Sequence, residues 1–108
     1  MTSVPIKDVL PYTRLRVIGP SMEPAVRNGE WWVVRRTQDV APGDIVLLVH
    51  PLRPDALLVK RVDHRADAGW WVLGDNADAS EDSRQFGVVS SADIVGRLVW
   101  RYHPLHRG

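Results

Sequence analysis

The sequence predicts a single, mostly β domain. Short runs rich in valine, isoleucine and tryptophan are separated by turn residues, a pattern typical of all-β proteins. Turn signals stand at Asn28-Gly29, Pro42-Gly43 and Ala68-Gly69. No repeat or low-complexity linker interrupts the 108 residues. We therefore expect one domain over residues 1–108, with an N-terminal extension at 1–14 and a basic tail at 103–108.

Six strands are predicted, and in chain order they cover residues 15–18, 31–36, 44–50, 56–63, 70–73 and 94–102. The longest purely apolar run, residues 45–49, lies in the third of these strands. Ser90 or Ser91 is expected to cap one helical turn before the last strand. Ala68-Gly69 is expected to close a hairpin between the fourth and fifth strands.

Two segments do not fit a strand pattern. Residues 19–28 leave the first strand through Gly-Pro and contain Ser21. Residues 74–87, GDNADASEDSRQFG, form a long polar loop of a length that is uncommon in compact domains unless it is functional or disordered. We expect an ordered loop, because Asp78, Ser80, Asp82 and Arg84 are able to bond one another and nearby backbone.

Composition excludes several classes of function. With 14 basic and 13 acidic residues the net charge is +1, and the basic residues are scattered, so no nucleic-acid partner is expected. The absence of cysteine excludes a thiol nucleophile, disulfides and thiolate metal sites. The first ten residues lack a secretory-type apolar core, and no run approaches the roughly 20 apolar residues of a membrane-spanning helix. We expect a cytoplasmic protein without a membrane span.

Lys60 is the first candidate for chemistry. On a strand it shares a face with Leu58 and Val62. Apolar surroundings disfavour the ammonium form, and a neutral lysine can act as a general base. The alternative is a lysine whose stem packs against the sheet while its amine reaches water.

Ser21 is the second candidate, between Gly-Pro and Met-Glu-Pro. Gly19 allows close approach of a ligand to the backbone, and Pro20 and Pro24 stiffen the loop. A serine in such a loop can offer its hydroxyl as nucleophile and its own amide N–H to an oxyanion. The alternative is a serine that only makes a turn hydrogen bond.

Four segments occur in a fixed order: GPSMEP, PGDIVLL, LLVKRV and GDNADASEDSRQFG. Together they resemble the boxes of the type I signal peptidase family, namely S-M-x-P, G-D-I-V, K-R and G-D-N…S-x-D-S-R-x-F-G. The resemblance covers about residues 17–96. It implies a small signal-peptidase-like catalytic β domain and a serine endopeptidase that uses a Ser–Lys dyad, with no cofactor.

The resemblance also implies roles for single residues. Ser21 would be the nucleophile and Lys60 its base, with Ser80 orienting the lysine amine. Asp82 and Arg84 would form an ion pair that braces the loop. Three further residues would shape the backbone beside the dyad: Gly74, Asp75 and Asn76. Some relatives carry Ser or Thr at the position of Gly19, where the hydroxyl helps to hold the oxyanion; here the second oxyanion donor is left open.

Within this family the chain is most similar to the proteases that mature nickel-type superoxide dismutase, in its length and in the approach GWWVLGDN to the last box. The implied substrate is a dismutase precursor, cut before the histidine that becomes its first residue. Alternatives are a signal peptidase acting on exported proteins, a self-cleaving repressor-type protease, and a non-catalytic binding module. The repressors lack the G-D-N…D-S-R box and add a DNA-binding helix pair for which there is no room here.

The remaining polar and aromatic residues give weaker signals. The four histidines are scattered, and His103 and His106 stand in the tail, so no metal site is predicted. Of the tryptophan pairs Trp31-Trp32 and Trp70-Trp71, one ring each is expected in the core. The other ring would line the substrate groove or make a peripheral contact with a membrane.

Overall fold

Seven strands form one antiparallel sheet in the computed structural model, which describes residues 11–104. The strands are β1 Tyr12–Arg16, β2 Trp31–Arg36, β3 Ile45–His50, β4 Arg53–Ala66, β5 Gly69–Leu73, β6 Val89–Ser90 and β7 Ile94–Tyr102. One short helix, α1 Ser83–Phe86, and two 3-10 helices, Ala77–Ala79 and Ser91–Asp93, complete the elements. The order across the sheet is β1-β2-β7-β3-β4-β5-β6. The mostly β prediction is confirmed.

The first strand begins earlier than predicted, at Tyr12 and not at residue 15. It ends at Arg16 because Val17 pairs with the turn that precedes β2: its N–H donates to the Glu30 carbonyl at 2.8 Å and its carbonyl accepts from the Gly29 N–H at 2.7 Å. The predicted extension at 1–14 is therefore wrong for residues 12–14, which belong to the sheet. Residues 1–10 and 105–108, most of the predicted tail, lie outside the described residues.

The fourth strand is longer than predicted and runs through 14 residues. It pairs with β3 from Arg53 to Arg61 and with β5 from Arg61 to Ala66. Its exposed Pro54 falls where the register with β3 shifts, at a point where the missing N–H of proline breaks no ladder bond. The predicted hairpin to β5 is present, with Asp67 at a positive φ of 51° in its turn.

Both faces of the sheet are covered, as the continuous apolar run of β3 indicates. Val46 and Leu48 point to one face and Leu47 to the other, in agreement with strand alternation. The first core comprises Val40, Val46, Leu48, Val62, Trp70, Val72, Val89 and Ile94. The second comprises Val17, Met22, Val26, Val34, Leu47 and Leu98. The second core lies directly beneath the segment that carries Ser21.

The aromatic prediction is confirmed in its first part. Trp70 is buried in the first core, and Trp32 packs against the second. Trp31 packs on Tyr102 and Trp71 on His64, both partly exposed. A contact of these outer rings with substrate or membrane stays a prediction.

The polar loop is ordered, as expected, since a 3-10 helix and α1 lie within it. The predicted cap before the last strand is Ser90, whose hydroxyl accepts from the Ala92 N–H at 3.2 Å. Strand β6 was not predicted, because it has only two residues, which pair with the start of β5. Between residues 11 and 104, helices are too short to cross a bilayer.

Candidate active site

Ser21 lies in the segment between β1 and β2, residues 19–28, which we call the serine loop. Met22, 1% exposed, and Val26 anchor this loop in the second core. Two backbone bonds tighten it, from the Glu23 N–H to the Pro20 carbonyl at 3.0 Å and from the Val26 N–H to the Met22 carbonyl at 3.0 Å. The position of Ser21 is thus fixed by the buried residue that follows it.

Lys60 stands in the middle of β4, opposite Val46 of β3, and is only 2% exposed. Burial lowers the pKa of its amine; the negative charges of Asp82 and Glu81 oppose this effect, and Arg84 adds to it. The net direction is downward. A lysine with a lowered pKa holds a neutral amine over more of the pH range than an exposed lysine does.

The Lys60 amine is held by the polar loop. Its Nζ donates to Ser80 Oγ at 3.1 Å, and Ser80 Oγ donates to Asp82 Oδ2 at 3.0 Å. Arg84 donates two hydrogen bonds to the same carboxylate, from Nε at 2.9 Å and from Nη2 at 2.8 Å. The four residues Lys60, Ser80, Asp82 and Arg84 therefore form one continuous hydrogen-bonded chain.

Asp82 is the centre of this chain and is fully buried. Burial alone would raise the pKa of its carboxyl. Hydrogen bonds from the Arg84 guanidinium, the Gly74 N–H, the Arg84 N–H and the Ser80 hydroxyl outweigh burial, and the pKa is held far below its ordinary value. Asp82 is therefore ionised throughout the neutral range.

The ionised state of Asp82 fixes the direction of the hydrogen bonds. A carboxylate only accepts, so the Ser80 hydroxyl must donate to it and is left to accept from Lys60. One N–H of the Lys60 amine is thereby committed to Ser80. When the amine is neutral, its lone pair is directed away from Ser80 and is free to accept a proton.

Residues 74–76 join the polar loop to the serine loop. The Asn76 N–H donates to the Ser21 carbonyl at 2.9 Å, and Asn76 Nδ2 donates to the Pro20 carbonyl at 3.1 Å. The backbone at Gly74 is so close that a Cβ there would overlap the Ser80 side chain and lie 2.8 Å from the Ser21 carbonyl oxygen. Glycine is required at this position because the two loops leave no space for a side chain.

Asp75 strengthens the same junction. Its carboxylate accepts from Arg61 Nε at 2.9 Å and Nη2 at 2.8 Å, and its N–H faces the Met22 sulfur at 3.4 Å. Arg61 also donates to the Gly43 carbonyl at 2.8 Å. Asp75, which follows Gly74, is thus bonded to β4 on one side and contacts the serine loop on the other.

Ser21 and Lys60 line the same groove, a cavity of about 240 Å³. Its walls are the end of β1 with the residues that follow, and the stretch of β4 before Arg61. The lining residues are Leu15, Arg16, Val17, Ile18, Ser21, Met22, Leu47, Leu57, Leu58, Val59 and Lys60. No tryptophan of the described chain lines it. Most of these side chains are apolar, and the three polar ones are Arg16, Ser21 and Lys60.

One wall of the groove is an open strand edge. Strand β5 pairs with β4 only from Arg61 onward, so within residues 11–104 no strand covers β4 before that point. The Val62 N–H donates to the Asp44 carbonyl, and the Val62 carbonyl accepts from the Gly43 N–H. Both backbone groups of Val62 therefore face the β3 side. Backbone groups alternate along a strand, so those of Val59 and Leu57 point to the open side.

The remaining predicted residues lie as follows. The Gly19 N–H, named as an uncertain oxyanion donor, donates to Asn28 Oδ1 at 2.8 Å and would have to leave this partner to hold an oxyanion. Among residues 11–104, no cluster of His, Asp or Glu is arranged to hold a metal ion.

Two features of the site were missed at the sequence level. Asp82 and Gln85 form a reciprocal capping box at the start of α1, a signal that the spacing D-S-R-Q carries. Glu81 contacts His50, which is 31 positions away in the chain. No local pattern predicts a contact at that separation.

Comparison with known proteins identifies the family of this chain. The family model described as Peptidase S24-like matches residues 7–99. Mitochondrial inner membrane protease subunit 1 of Xenopus tropicalis is 32% identical over 81% of this chain and 66% of its own length. The human protein of the same name is 29% identical over 81% and 67%. The chain thus spans about two thirds of the length of these relatives.

A shorter match is more similar in sequence. Signal peptidase IB of Staphylococcus aureus is 48% identical over 33 residues, which cover 31% of this chain and 17% of that protein. The family model, in contrast, spans the serine loop, β4 and the polar loop together. The chain belongs to the Peptidase S24-like family.

Proposed function

We propose that this protein is a serine endopeptidase in which Ser21 is the nucleophile and Lys60 the general base. The observation that carries the proposal is the buried Lys60 amine, which shares a groove with Ser21 and is oriented by Ser80. Membership of a protease family supports it independently.

The proposed reaction has two stages. The neutral Lys60 amine takes the proton of the Ser21 hydroxyl as Oγ attacks the scissile carbonyl carbon. The Ser21 N–H stabilises the oxyanion, and the leaving amine takes its proton from the Lys60 ammonium as the peptide bond breaks. Water then attacks the acyl-enzyme with Lys60 again as base, which releases the carboxylic acid and restores Ser21.

In this mechanism the polar loop orients the base. One N–H of the Lys60 amine donates to Ser80, so the lone pair of the neutral amine is left to accept the proton of the Ser21 hydroxyl. Ionised Asp82 keeps Ser80 in its donor role, and Arg84 neutralises the charge of Asp82. Without Arg84, the full negative charge of Asp82 would favour the ammonium form of Lys60 and reduce the neutral fraction.

The substrate is proposed to bind as an extended peptide along the open edge of β4. The backbone groups of Leu57 and Val59 would pair with it in the manner of an added strand. Leu57 and Ile18, both exposed, flank the groove from opposite walls and would contact alternate side chains. Such pairing would bring a scissile carbonyl to Ser21.

The first candidate substrate is the precursor of a nickel-type superoxide dismutase, which would place the reaction in the cytoplasm. Its scissile bond precedes the histidine that becomes residue one. Cleavage there frees an amine and exposes an imidazole as nickel ligands. The support is the similarity of the segment GWWVLGDN to that branch of the family.

The second candidate is the signal segment of an exported protein. The observation that favours it is the similarity to mitochondrial inner membrane protease subunit 1 and to signal peptidase IB. Both candidates require the removal of an N-terminal segment by the same site. They differ in the residues that flank the cut.

The test offers the purified protein a nickel dismutase precursor and, separately, an exported preprotein, with mass spectrometry to locate each cut. Cleavage before the histidine supports the first substrate, and cleavage of the preprotein alone supports the second. Ser21→Ala must abolish either cut, while the matched control Ser90→Ala, an exposed serine of β6, must cut normally. Turnover by folded Ser21→Ala would refute the proposed nucleophile.

A further inference from the structure

Glu81 lies between Ser80 and Asp82 but contacts a different part of the molecule. Its Oε1 accepts from His50 Nε2 at 2.5 Å and from Arg53 Nη2 at 2.7 Å. The backbone is extended at Ser80 and at Asp82. Side chains along extended backbone alternate in direction, so Ser80 and Asp82 point toward Lys60 while Glu81 points away.

His50 is a fixed partner for Glu81. It ends β3, is 3% exposed, and its ring lies 4.9 Å from that of Phe86. Its Nδ1 accepts from the Leu52 N–H at 3.0 Å. In the neutral imidazole the proton must then be on Nε2, which donates it to Glu81.

We propose that Glu81 and His50 are positioning residues that hold segment 80–82 from its outer side and so keep Ser80 bonded to Lys60. The inference rests on the proposed function, because it assigns the two residues a role in orienting the proposed base. Ser80 and Asp82 hold the segment from the inner side. The segment is therefore bonded from both sides.

The charge of Glu81 gives this role a distinctive signature. The groups that act on the Lys60 amine are Asp82, Glu81 and Arg84, and the Glu81 carboxylate favours the charged form. Glu81 itself faces His50 and Arg53, which lower its pKa and keep it ionised. Glu81→Gln keeps an acceptor for both partners but removes the charge. It should move the rise of kcat with pH to lower pH and leave its maximum nearly unchanged.

The decisive experiment is a double-mutant cycle with Ser80, measured on the peptide that the wild-type protein cuts. Glu81→Ala and His50→Phe should each lower kcat about tenfold with KM unchanged. In a Ser80→Ala background neither should lower kcat further, because the bond they support is gone. Asp39→Ala, which removes an exposed carboxylate from the segment between β2 and β3, is the control and should retain wild-type kcat.

Wild-type kcat in Glu81→Ala, or losses that multiply in the Ser80→Ala background, would overturn the positioning role. If Ser21→Ala is inactive while Glu81→Ala is fully active, only this inference fails; if folded Ser21→Ala cuts, the proposed function itself fails. A substrate-free measurement is amide hydrogen exchange at Gly74, whose N–H donates to Asp82 at 2.9 Å. Exchange there should be faster in Glu81→Ala than in Asp39→Ala, and equal rates would overturn the inference.

Discussion

The serine loop and the polar loop meet at the same groove but are held by different forces. The serine loop is anchored by Met22 and Val26, which are buried among apolar side chains. The polar loop is held by the buried carboxylate of Asp82, which accepts hydrogen bonds from the side chain of Ser80 and from both the backbone and the side chain of Arg84. The position of Ser21 therefore depends on apolar packing, and the orientation of Lys60 depends on the charge of Asp82.

This difference predicts how each half of the site fails. Apolar packing is insensitive to pH and to salt but is sensitive to lost volume. A buried carboxylate is sensitive to the loss of its charge, because the protonated carboxyl is a weaker acceptor for the donors around it. The following predictions test whether the two loops fail in these separate ways.

The largest effect is expected for Asp82→Ala. The substitution leaves the Gly74 N–H, the Ser80 hydroxyl and the Arg84 guanidinium without their acceptor. We expect a loss of about 4 kcal/mol in the free energy of unfolding, because the Gly74 N–H and the Ser80 hydroxyl each lose their acceptor at a cost of about 2 kcal/mol, whereas the exposed Arg84 guanidinium can turn to water. Urea unfolding measures it, and a variant within 1 kcal/mol of wild type, a threshold of about one net hydrogen bond, would contradict the role of Asp82.

The pH dependence of stability tests the charge of Asp82 separately. Its folded-state pKa lies below the ordinary value of 3.8, so its contribution is complete above that value and is lost as the pH falls below it. Asp82→Asn should therefore have a flatter stability profile than wild type in acid. Parallel profiles for the two proteins would show that the carboxylate is not specifically stabilised.

Met22→Ala should cost slightly less, about 3 kcal/mol, because it opens a cavity in the second core. Its loss should not depend on pH, in contrast to that of Asp82→Ala. The matched variant Met22→Leu, which nearly conserves volume, should lose less than about 1.5 kcal/mol. A pH-dependent loss in Met22→Ala would mean that the two loops are not held independently.

The sequence predicted which residues lie near the groove better than it predicted the contacts that support them. Ser21, Lys60 and Ser80 were named from four short boxes, because each box has a local pattern that survives without knowledge of the fold. The structure places these three residues together. Four of the six predicted strands agree with those observed to within one residue at either end, because their sequence pattern is local, and the predicted fourth strand lies inside a longer one. The first was displaced because its end is set by pairing with the turn before β2.

What the sequence could not predict depends on long-range contacts. The Glu81–His50 bond joins the polar loop to the end of β3, and no sequence pattern around either residue indicates this contact. The open edge of β4 is likewise invisible in the sequence, because it arises from where β5 begins to pair. Glycine is needed at position 74 because the serine loop and the polar loop approach each other closely there. These loops are far apart in the sequence: Met22 and Asp75, which are in contact, are separated by 53 positions.

Gly74→Ala tests the junction of the two loops. The added Cβ would overlap the Ser80 side chain and approach the Ser21 carbonyl, so either loop must shift. We expect a loss of about 2 kcal/mol in the free energy of unfolding, as for overpacking elsewhere, together with loss of activity. Full activity in this variant would show that the loops need not touch for turnover.

Ser80→Ala should have the smallest effect on stability, about 1 kcal/mol, the usual net value of a hydrogen bond. Its effect on rate should be larger, because Lys60 loses the group that orients its amine. We expect a lower kcat with little change in KM, since Ser80 does not line the substrate groove. Steady-state kinetics decide this, and a change confined to KM would place Ser80 in substrate binding instead.

The central claim is that Lys60 acts as a neutral base on Ser21, and the pH dependence of kcat tests it most directly. Burial lowers the pKa of Lys60 below its ordinary value of 10.5, so kcat should rise with pH through one ionisation below that value. Lys60→Arg, which stays protonated, should be folded and inactive at every pH. A flat profile with chemistry rate-limiting, or turnover by folded Lys60→Arg, would contradict the claim.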